Sequence, residues 1–304
     1  MNDSAFGFRV RSEPTLRFVR SGGGVEPLEV VTAHEPRTRP ELPALARWTL
    51  AGADRDVGAA LYRVEGGFEY WVAEAGAYRV DPERGRIEIP DCEGEDEIVR
   101  EQRLWGIPAT LCYMARDDLS LHAAAVEVGG RAVLLAGPGR HGKSTLALAF
   151  HERGHRVLSE DLACCRVSPS PAVLPGPALL RIRPDVYEGR APEGTRAVLT
   201  RPDRIYLMLD QDRRGDGAPV PLAAIVFLRR SADEVRMERT SPAEALPDLW
   251  ALNFRLPTDE GRARSFRQLS RLAAELPIWN LHRPFRPESL DATVDRVVRA
   301  VGSP

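Results

Sequence analysis

A short glycine-rich segment in the middle of the chain contains the residues with the clearest chemical signature. It follows the pattern G-x-x-x-x-G-K-[ST], in which Lys143 is the lysine and Ser144 is the hydroxyl residue. Lys143 is the only lysine among the 42 lysine and arginine residues of the chain. A compact ammonium can sit between two phosphates inside a ring of backbone N–H groups, where the planar fork of arginine is too wide. The pattern therefore predicts a phosphate-binding Walker A loop formed by Gly137, Pro138, Gly139, Arg140, His141, Gly142, Lys143, Ser144 and Thr145.

We call these residues the glycine-rich loop, and the segments on either side of it could position it. Residues 131–136 form a short apolar run, which predicts a buried strand that enters the loop. Residues 144–153 are rich in helix formers and end at Gly154, a residue type that favours helix C-termini. A strand, a turn and a helix in this order aim N–H groups at phosphate, so we expect nucleotide binding. We also expect the Lys143 ammonium to be exposed and to pack against little.

Two adjacent acids, Glu160 and Asp161, follow the loop after an interval that one helix and one strand would span. If this strand lies beside the strand that enters the loop, its C-terminal end places both acids at the edge where the phosphates bind. One carboxylate there can hold Mg²⁺, directly or through water, and the other can take a proton from an attacking hydroxyl. A solvated acidic pair in a surface turn is the alternative.

These motifs resemble the kinase domain of bacterial HPr serine kinase/phosphorylase, and more closely its stand-alone relatives, some encoded beside ribosomal-peptide biosynthesis enzymes. The resemblance rests on His122-Ala123 before a strand, on the glycine-rich loop, and on residues 153–158 followed by the two acids. It covers about residues 116–205, and residues 276–284 match more weakly. It implies an α/β fold of the HPr kinase/PEP-carboxykinase-like type, with a P-loop core, a mixed sheet and flanking helices. The smaller β-rich N-terminal domain is predicted from the strand patterns of residues 1–115 and not from the resemblance.

The resemblance also implies a role for each polar residue. Glu160 matches the catalytic aspartate of the family, which accepts a proton, and Asp161 matches its neighbour near the metal. Ser144 and Asp161 would accordingly hold Mg²⁺, with ATP as the nucleotide. His122 matches a histidine near the phosphates, and a satisfied core histidine at a strand start is its alternative.

The chain departs from the family pattern at three points. Glu160 is one methylene longer than the usual aspartate, and Arg140 and His141 occupy loop positions that are usually small or apolar. The second signature of the family, an acidic-arginine-glycine stretch, has no counterpart in this sequence. The resemblance therefore does not extend to HPr as the substrate or to reverse phosphorolysis.

Outside the motifs, four arginines and two aromatic residues have simpler explanations. The arginines can approach phosphate or an acidic substrate, although ordinary surface charge explains each of them as well. They are Arg181, Arg183, Arg201 and Arg204. Trp279 and Phe285 are better explained as packing residues than as a platform on which a base stacks.

The composition excludes several broad classes of protein. The 304 residues are 43% hydrophobic and 28% charged, as in soluble globular proteins. The net charge of −2 predicts no overall attraction to nucleic acid or to an anionic membrane. The sequence contains neither a secretory h-region nor an apolar run of membrane-spanning length, so we expect a cytoplasmic protein. The four cysteines lack C-x-x-C spacing and are expected to be reduced thiols.

Along the chain, we place a domain boundary near residue 116, between a β-rich N-terminal domain (residues 1–115) and a P-loop domain (residues 116–304). Two hairpins are predicted in the first domain, with turns at Gly66-Gly67 and at residues 81–85, and a helical pattern broken by Pro108 follows them. A strand that turns at Gly129-Gly130 leads into the strand before the loop. A later strand and three helices are predicted at residues 223–228, 242–253, 259–276 and 287–301.

The pattern favours an ATP-dependent kinase that transfers the γ-phosphoryl group to a hydroxyl, preferably of serine, on a peptide or protein such as a ribosomal-peptide precursor. Two alternatives remain open, namely a kinase for a small hydroxylated metabolite and a nucleotide-binding regulator with little turnover. The peptide hypothesis predicts an open groove over Glu160, whereas the metabolite hypothesis predicts an enclosed cavity. A homo-oligomer also remains open.

Overall fold

The computed structural model describes residues 3–35, 37–49, 57–91, 94–186 and 189–302. Within these ranges the chain forms two large sheets, one small sheet and seven α-helices. Both large sheets combine parallel and antiparallel pairs. The protein is thus a mixed α/β protein with large mixed sheets and flanking helices.

The first sheet contains the nine strands at the N-terminal end of the chain. They are β1 (Asp3–Ala5), β2 (Phe8–Ser12), β3 (Arg20–Ser21), β4 (Glu26–Thr32), β5 (Ala46–Thr49), β6 (Val57–Val64), β7 (Gly67–Val72), β8 (Gly76–Asp81) and β9 (Arg86–Ile89). Their order in the sheet is β3-β1-β2-β4-β9-β8-β7-β6-β5. Both predicted hairpins are confirmed, because β6 pairs antiparallel with β7 and β8 with β9. Gly66, in the first turn, has a φ of 70°, which glycine adopts without strain.

Two helices, α1 (Glu97–Leu104) and α2 (Ile107–Ala115), pack against the first sheet through a shared hydrophobic core. The predicted break at Pro108 is confirmed, since this residue lies in the first turn of α2, where its missing N–H costs no hydrogen bond. Helix α2 ends next to the predicted domain boundary at residue 116. That two independent domains meet there stays a prediction.

The remaining strands form the second sheet and a small third sheet. They are β10 (Leu119–Leu121), β11 (Ala123–Val128), β12 (Arg131–Ala136), β13 (Val157–Ser159), β14 (Ala163–Arg166), β15 (Ala172–Leu174), β16 (Leu179–Ile182), β17 (Thr195–Thr200), β18 (Ile205–Leu209), β19 (Val220–Arg230), β20 (Arg236–Thr240), β21 (Asn253–Phe254) and β22 (Ile278–Arg283). The second sheet has the order β13-β11-β12-β19-β15-β14-β10-β21, and β22 joins it between β19 and β20. The third sheet has the order β16-β18-β17.

Strands β12, β19 and β22 run parallel to one another, so their carboxyl ends share one edge of the second sheet. Strand β13 does not lie directly beside β12, the condition on which the position of the acids was inferred. Strand β11 forms a hairpin with β12 across Gly129-Gly130 and occupies that place, and β13 pairs antiparallel with β11. Because β11 is antiparallel to both of its neighbours, β13 still points the same way as β12. The residues after β13 therefore emerge at the edge where the glycine-rich loop lies.

Five further helices complete the fold: α3 (Lys143–Glu152), α4 (Gln211–Arg214), α5 (Pro242–Leu252), α6 (Asp259–Glu275) and α7 (Leu290–Gly302). Helices α5 and α6 pack on one face of the second sheet. Helices α3 and α7 and the third sheet pack on the other face. The three predicted helices are confirmed, except that the last begins at Leu290 after a short 3-10 turn. The predicted strand at residues 223–228 is part of β19.

Arg20 of β3 connects the first sheet to the second. Its side chain is 1% exposed and donates hydrogen bonds to the carbonyl groups of Gly176, Val157 and Leu158. It also donates to the carbonyl of Arg214. Two of these four acceptors belong to β13, the strand that ends just before the two acids.

No described helix is both long enough and apolar enough to cross a membrane. Among the described residues, the cysteines Cys112, Cys164 and Cys165 are buried free thiols, in agreement with the expectation of reduced cysteines. Cys92 lies outside the described residues.

Candidate functional site

The glycine-rich loop connects the end of β12 to the start of α3. Helix α3 begins at Lys143, and Gly142 before it has a φ of 75°, in the left-handed region. This backbone conformation favours glycine, and a Cβ atom at position 142 would contact the Arg283 guanidinium. The first N–H groups of a helix have no partner within it, and those of α3 belong to the last residues of the loop. The arrangement suits the binding of an anion such as phosphate.

Lys143 lies inside the loop and is not exposed as expected. The residue is 7% exposed, and its Nζ donates hydrogen bonds of 2.8 Å to the Gly137 carbonyl and 3.1 Å to the Pro138 carbonyl. The expectation was wrong because the loop folds its own carbonyl groups around the first residue of α3. Burial lowers the pKa of the ammonium, and the nearby Asp161 and Glu160 carboxylates oppose this shift.

Glu160, the first residue after β13, is 8% exposed. Its Oε1 accepts a hydrogen bond from the Ser144 hydroxyl, and its Oε2 accepts one of 3.2 Å from Nε of Arg181. Burial raises the pKa of the Glu160 carboxyl, and the neighbouring charge of Asp161 acts in the same direction. The contact with Ser144 places this acid directly against the start of α3.

Asp161 lies in more open surroundings, and its side chain is 45% exposed. Its Oδ2 lies 2.7 Å from Nη2 of Arg181, and its Oδ1 lies 3.3 Å from Nε2 of His122. Partial burial on its own would raise the pKa of this carboxyl. Arg181 and His122 together outweigh that effect, so the pKa lies below the ordinary value for aspartate. Asp161 is therefore held as an ionised carboxylate with one side open to solvent.

His122 lies between β10 and β11, and its side chain is 37% exposed. The backbone N–H of His122 donates a 2.8 Å hydrogen bond to the Leu252 carbonyl. His122 is thus not a core histidine. Its imidazole contacts Oδ1 of Asp161.

Arg181 was expected only as one of four arginines that can approach phosphate or an acidic substrate, and its contact with the acids was not predicted. It belongs to β16, in the third sheet, and its guanidinium bridges Glu160 and Asp161. Burial opposes its charged form, but the two carboxylates outweigh this effect and raise the pKa of Arg181 above the ordinary value. The one available signal was its position inside the apolar run Leu179–Ile182, where a charged residue needs a partner. Of the other three arginines considered, Arg183 pairs with the exposed Asp185.

The oxygen groups at the loop fit a magnesium ion held together with nucleotide phosphates. Among the described residues, no group of three or more His, Cys, Asp or Glu side chains is placed to hold a metal ion by itself. Mg²⁺ in phosphate sites commonly uses only one or two protein oxygen groups, and substrate phosphates and water complete its coordination. The Ser144 hydroxyl and the Glu160 carboxylate, already in contact, are a pair of this kind.

The space beside the two acids is small. A cavity of about 40 Å³ lies between the acids and the N-terminal part of the chain, and Phe6, Trp105 and Arg181 contribute to its walls. Pockets that hold small ligands usually have volumes of roughly 300–1,000 Å³. This cavity is therefore too small to enclose a metabolite.

Comparison with known proteins gives only a distant relationship. No family model matches the chain, and no curated protein matches it. Among solved structures, the chain is similar to the HPr(Ser) kinase/phosphatase from Coxiella burnetii, with 14% sequence identity and a TM-score of 0.31. The match covers 60% of this chain and 88% of that chain. Membership of the family accordingly stays an interpretation of the motifs.

Proposed function

We propose that this protein is an ATP-dependent phosphotransferase that transfers the γ-phosphoryl group to a hydroxyl, preferably of serine, on a peptide or protein. One observation carries the proposal. The hydroxyl of Ser144, at the start of α3, is hydrogen-bonded to Glu160, and Asp161 lies beside it with one side open to solvent. Groups suited to phosphate and groups suited to a proton acceptor thus meet in one site.

Phosphate binding would involve the glycine-rich loop and the first turn of α3. The N–H groups of that turn point toward the loop, and the Lys143 ammonium supplies a positive charge within it. Preorganised donors of this kind stabilise the charge that develops on a transferring phosphoryl group. Mg²⁺, when bound, would neutralise further charge on the phosphates.

The contacts support a division of labour between the acids that reverses the one implied by the family resemblance. Glu160 is buried against Ser144, so we assign these two residues to the metal. Asp161 is open to solvent, from which an acceptor hydroxyl must arrive, so we assign it the proton. The raised pKa of Glu160 would make it the stronger base, but a base must first reach the proton it removes. Arg181 and His122 would hold the Asp161 carboxylate in place.

A peptide or protein acceptor agrees better with the site than a small metabolite does. The cavity beside the acids has a volume of about 40 Å³, whereas Asp161 is accessible from outside. An acceptor residue at the surface of a larger molecule can approach such a carboxylate without entering a pocket. A metabolite would need walls that surround it.

The direct test is to incubate the protein with γ-labelled ATP, Mg²⁺ and a lysate of the source organism, and to separate labelled macromolecules from labelled small molecules. A Lys143→Met variant is the matched control, because methionine keeps most of the side-chain length without the charge. We expect label in a macromolecule with the wild-type protein only. Label in a small molecule would favour the metabolite alternative, and no difference from the variant in either fraction would overturn the proposal.

A further inference from the structure

A second group of side chains lies next to the glycine-rich loop, on the side away from the acids. Arg230 and Arg283 are the last residues of β19 and β22, and they are partners in the parallel register of these strands. Because β12 runs parallel to β19, both arginines lie at the edge of the sheet where the loop begins. The acids follow β13, which lies two strands from β12 on one side. Arg283 belongs to β22, which lies two strands from β12 on the other side.

Phe285, just after β22, connects this group to the loop. Its ring centre lies 5.7 Å from that of His141, a loop residue, with the two ring planes at 79°. The guanidinium carbons of Arg283 and Arg230 lie 4.8 Å and 5.7 Å from the same ring centre. Phe285 is only partly buried, so part of its side chain remains accessible.

Arg283 has an unusual environment for a charged side chain. It is 2% exposed, it faces the carbonyl of Gly142 at 3.5 Å, and its Nε has no hydrogen-bond partner among the described residues. Burial lowers the pKa of Arg283 to about 10. A buried guanidinium is costly unless other groups compensate for its charge. Here it supports the aromatic ring from one side and the loop from the other.

An open cavity of about 530 Å³ adjoins the group, and its lining includes Arg230, Ser231, Phe285 and Arg286. Its volume lies within the range usual for small-ligand sites, roughly 300–1,000 Å³. An aromatic ring and arginine side chains are the groups on which nucleobases stack, and such stacking accepts any base because every base has a π-face.

Against the expectation that Phe285 is only a packing residue, we propose that Phe285, together with Arg230, is the stacking platform for the base of the nucleoside triphosphate whose phosphates bind the glycine-rich loop. The inference rests on the proposed function and adds the subsite for the base. The order of the strands supports it, since the acids lie on one side of the loop and Phe285 on the other. A nucleotide laid across this edge would direct its terminal phosphate toward the acids and its base toward Phe285.

The test compares ligands with and without a base. Dissociation constants for ATP and for inorganic tripolyphosphate are measured by calorimetry in Mg²⁺, using wild-type protein, Phe285→Leu and Phe285→Trp. Leucine keeps an apolar side chain that can pack, but it has no π-face. We expect Phe285→Leu to weaken ATP binding about 5- to 150-fold, which is the loss of affinity that corresponds to one stacked base. The dissociation constant of tripolyphosphate should stay within about twofold of the wild-type value. Phe285→Trp should bind ATP at least as tightly as the wild type.

Phe266→Leu serves as the matched control, because Phe266 is a partly exposed aromatic residue of α6 that contacts Trp250. It should change neither constant. Unchanged ATP affinity in Phe285→Leu, or equal weakening of both ligands, would overturn the base subsite alone. Wild-type protein that binds neither ligand would overturn the proposed function, and the subsite with it.

Discussion

The two carboxylates of the candidate site are neighbours in sequence but lie in different surroundings. Glu160 is 8% exposed and is hydrogen-bonded to Ser144, whereas the Asp161 side chain is 45% exposed and contacts His122. Arg181 contacts both carboxylates. Under the proposed function, Glu160 therefore lies on the phosphate side of the site and Asp161 on the acceptor side.

We therefore expect substitutions of the two acids to have different kinetic effects. Asp161→Asn should lower turnover by about 100-fold or more and change ATP affinity little, because a proton acceptor acts mainly in the transition state. Glu160→Gln should weaken Mg²⁺-dependent ATP binding as well as turnover, because it removes a charge beside Ser144. Turnover and the ATP dissociation constant are measured for each variant.

Asp185→Asn is the control, because Asp185 is an exposed acid outside the candidate site. Among the ion pairs of the described residues, its partner is the exposed Arg183 alone. It should behave like the wild type. If instead Glu160→Gln bound ATP normally with little turnover, and Asp161→Asn lost Mg²⁺-dependent binding, the roles implied by the family resemblance would be right.

At the scale of elements, local patterns in the sequence predicted most of what surrounds the site. The apolar run before Gly137 and the helix formers after it correspond to β12 and α3. That β11 lies between β12 and β13 could not be predicted, because strand order depends on long-range pairing that no local pattern contains. The contact of Arg181 with the acids was not predicted for the same reason, since its distance from them depends on how the third sheet packs against the second.

Helix α3 also contains a buried histidine that should make the stability of the protein depend on pH. His151 is 2% exposed, and its Nε2 lies 2.9 Å from the Glu193 carbonyl oxygen. Burial lowers the pKa of His151 below its ordinary value of 6.5. As the pH falls through 6.5, the unfolded chain therefore binds a proton before the folded protein does. The free energy of unfolding should decrease in this range, by at most about 1.4 kcal/mol per pH unit for one such group.

The measurement is urea unfolding at pH 7.5 and at pH 5.5. His151→Gln keeps a donor for the Glu193 carbonyl without an imidazole, so its loss of stability between the two pH values should be smaller than that of the wild type. His34→Gln removes an exposed histidine instead, and it should lose as much stability as the wild type. Equal losses in the His151 variant and the wild type would show that this histidine does not contribute.

For the molecule as a whole, the first sheet supports the strand that positions the acids. Arg20 donates to the carbonyls of Val157 and Leu158 in β13 and to Gly176. Glu101 of α1 accepts hydrogen bonds from the backbone N–H groups of Arg17 and Phe18, just before Arg20. Sequence patterns predicted a β-rich N-terminal part, but not this contact, because Arg20 is one of many arginines and its acceptors are backbone groups.

Arg20→Met should accordingly affect both stability and activity. It leaves several buried carbonyl groups without their donor, so we expect the free energy of unfolding to fall by about 2 kcal/mol or more. Turnover should fall as well, because β13 precedes the acids. Arg11→Met, at an exposed position of β2, should change neither quantity. Denaturant titration and turnover measured on both variants test this link, and an Arg20 variant as stable as the wild type would contradict it.

The central claim is that the glycine-rich loop and the acids form one site for a magnesium nucleotide. Its most direct test is the dissociation constant of ATP, measured in Mg²⁺ and in excess EDTA, for the wild type, Lys143→Met and Ser144→Ala. We predict that EDTA weakens ATP binding to the wild type, because the metal ion is shared between the protein oxygen groups and the phosphates. Lys143→Met should bind weakly under both conditions, and Ser144→Ala should lose most of its response to the metal. ATP affinity that is the same in EDTA and unchanged in both variants would contradict the claim.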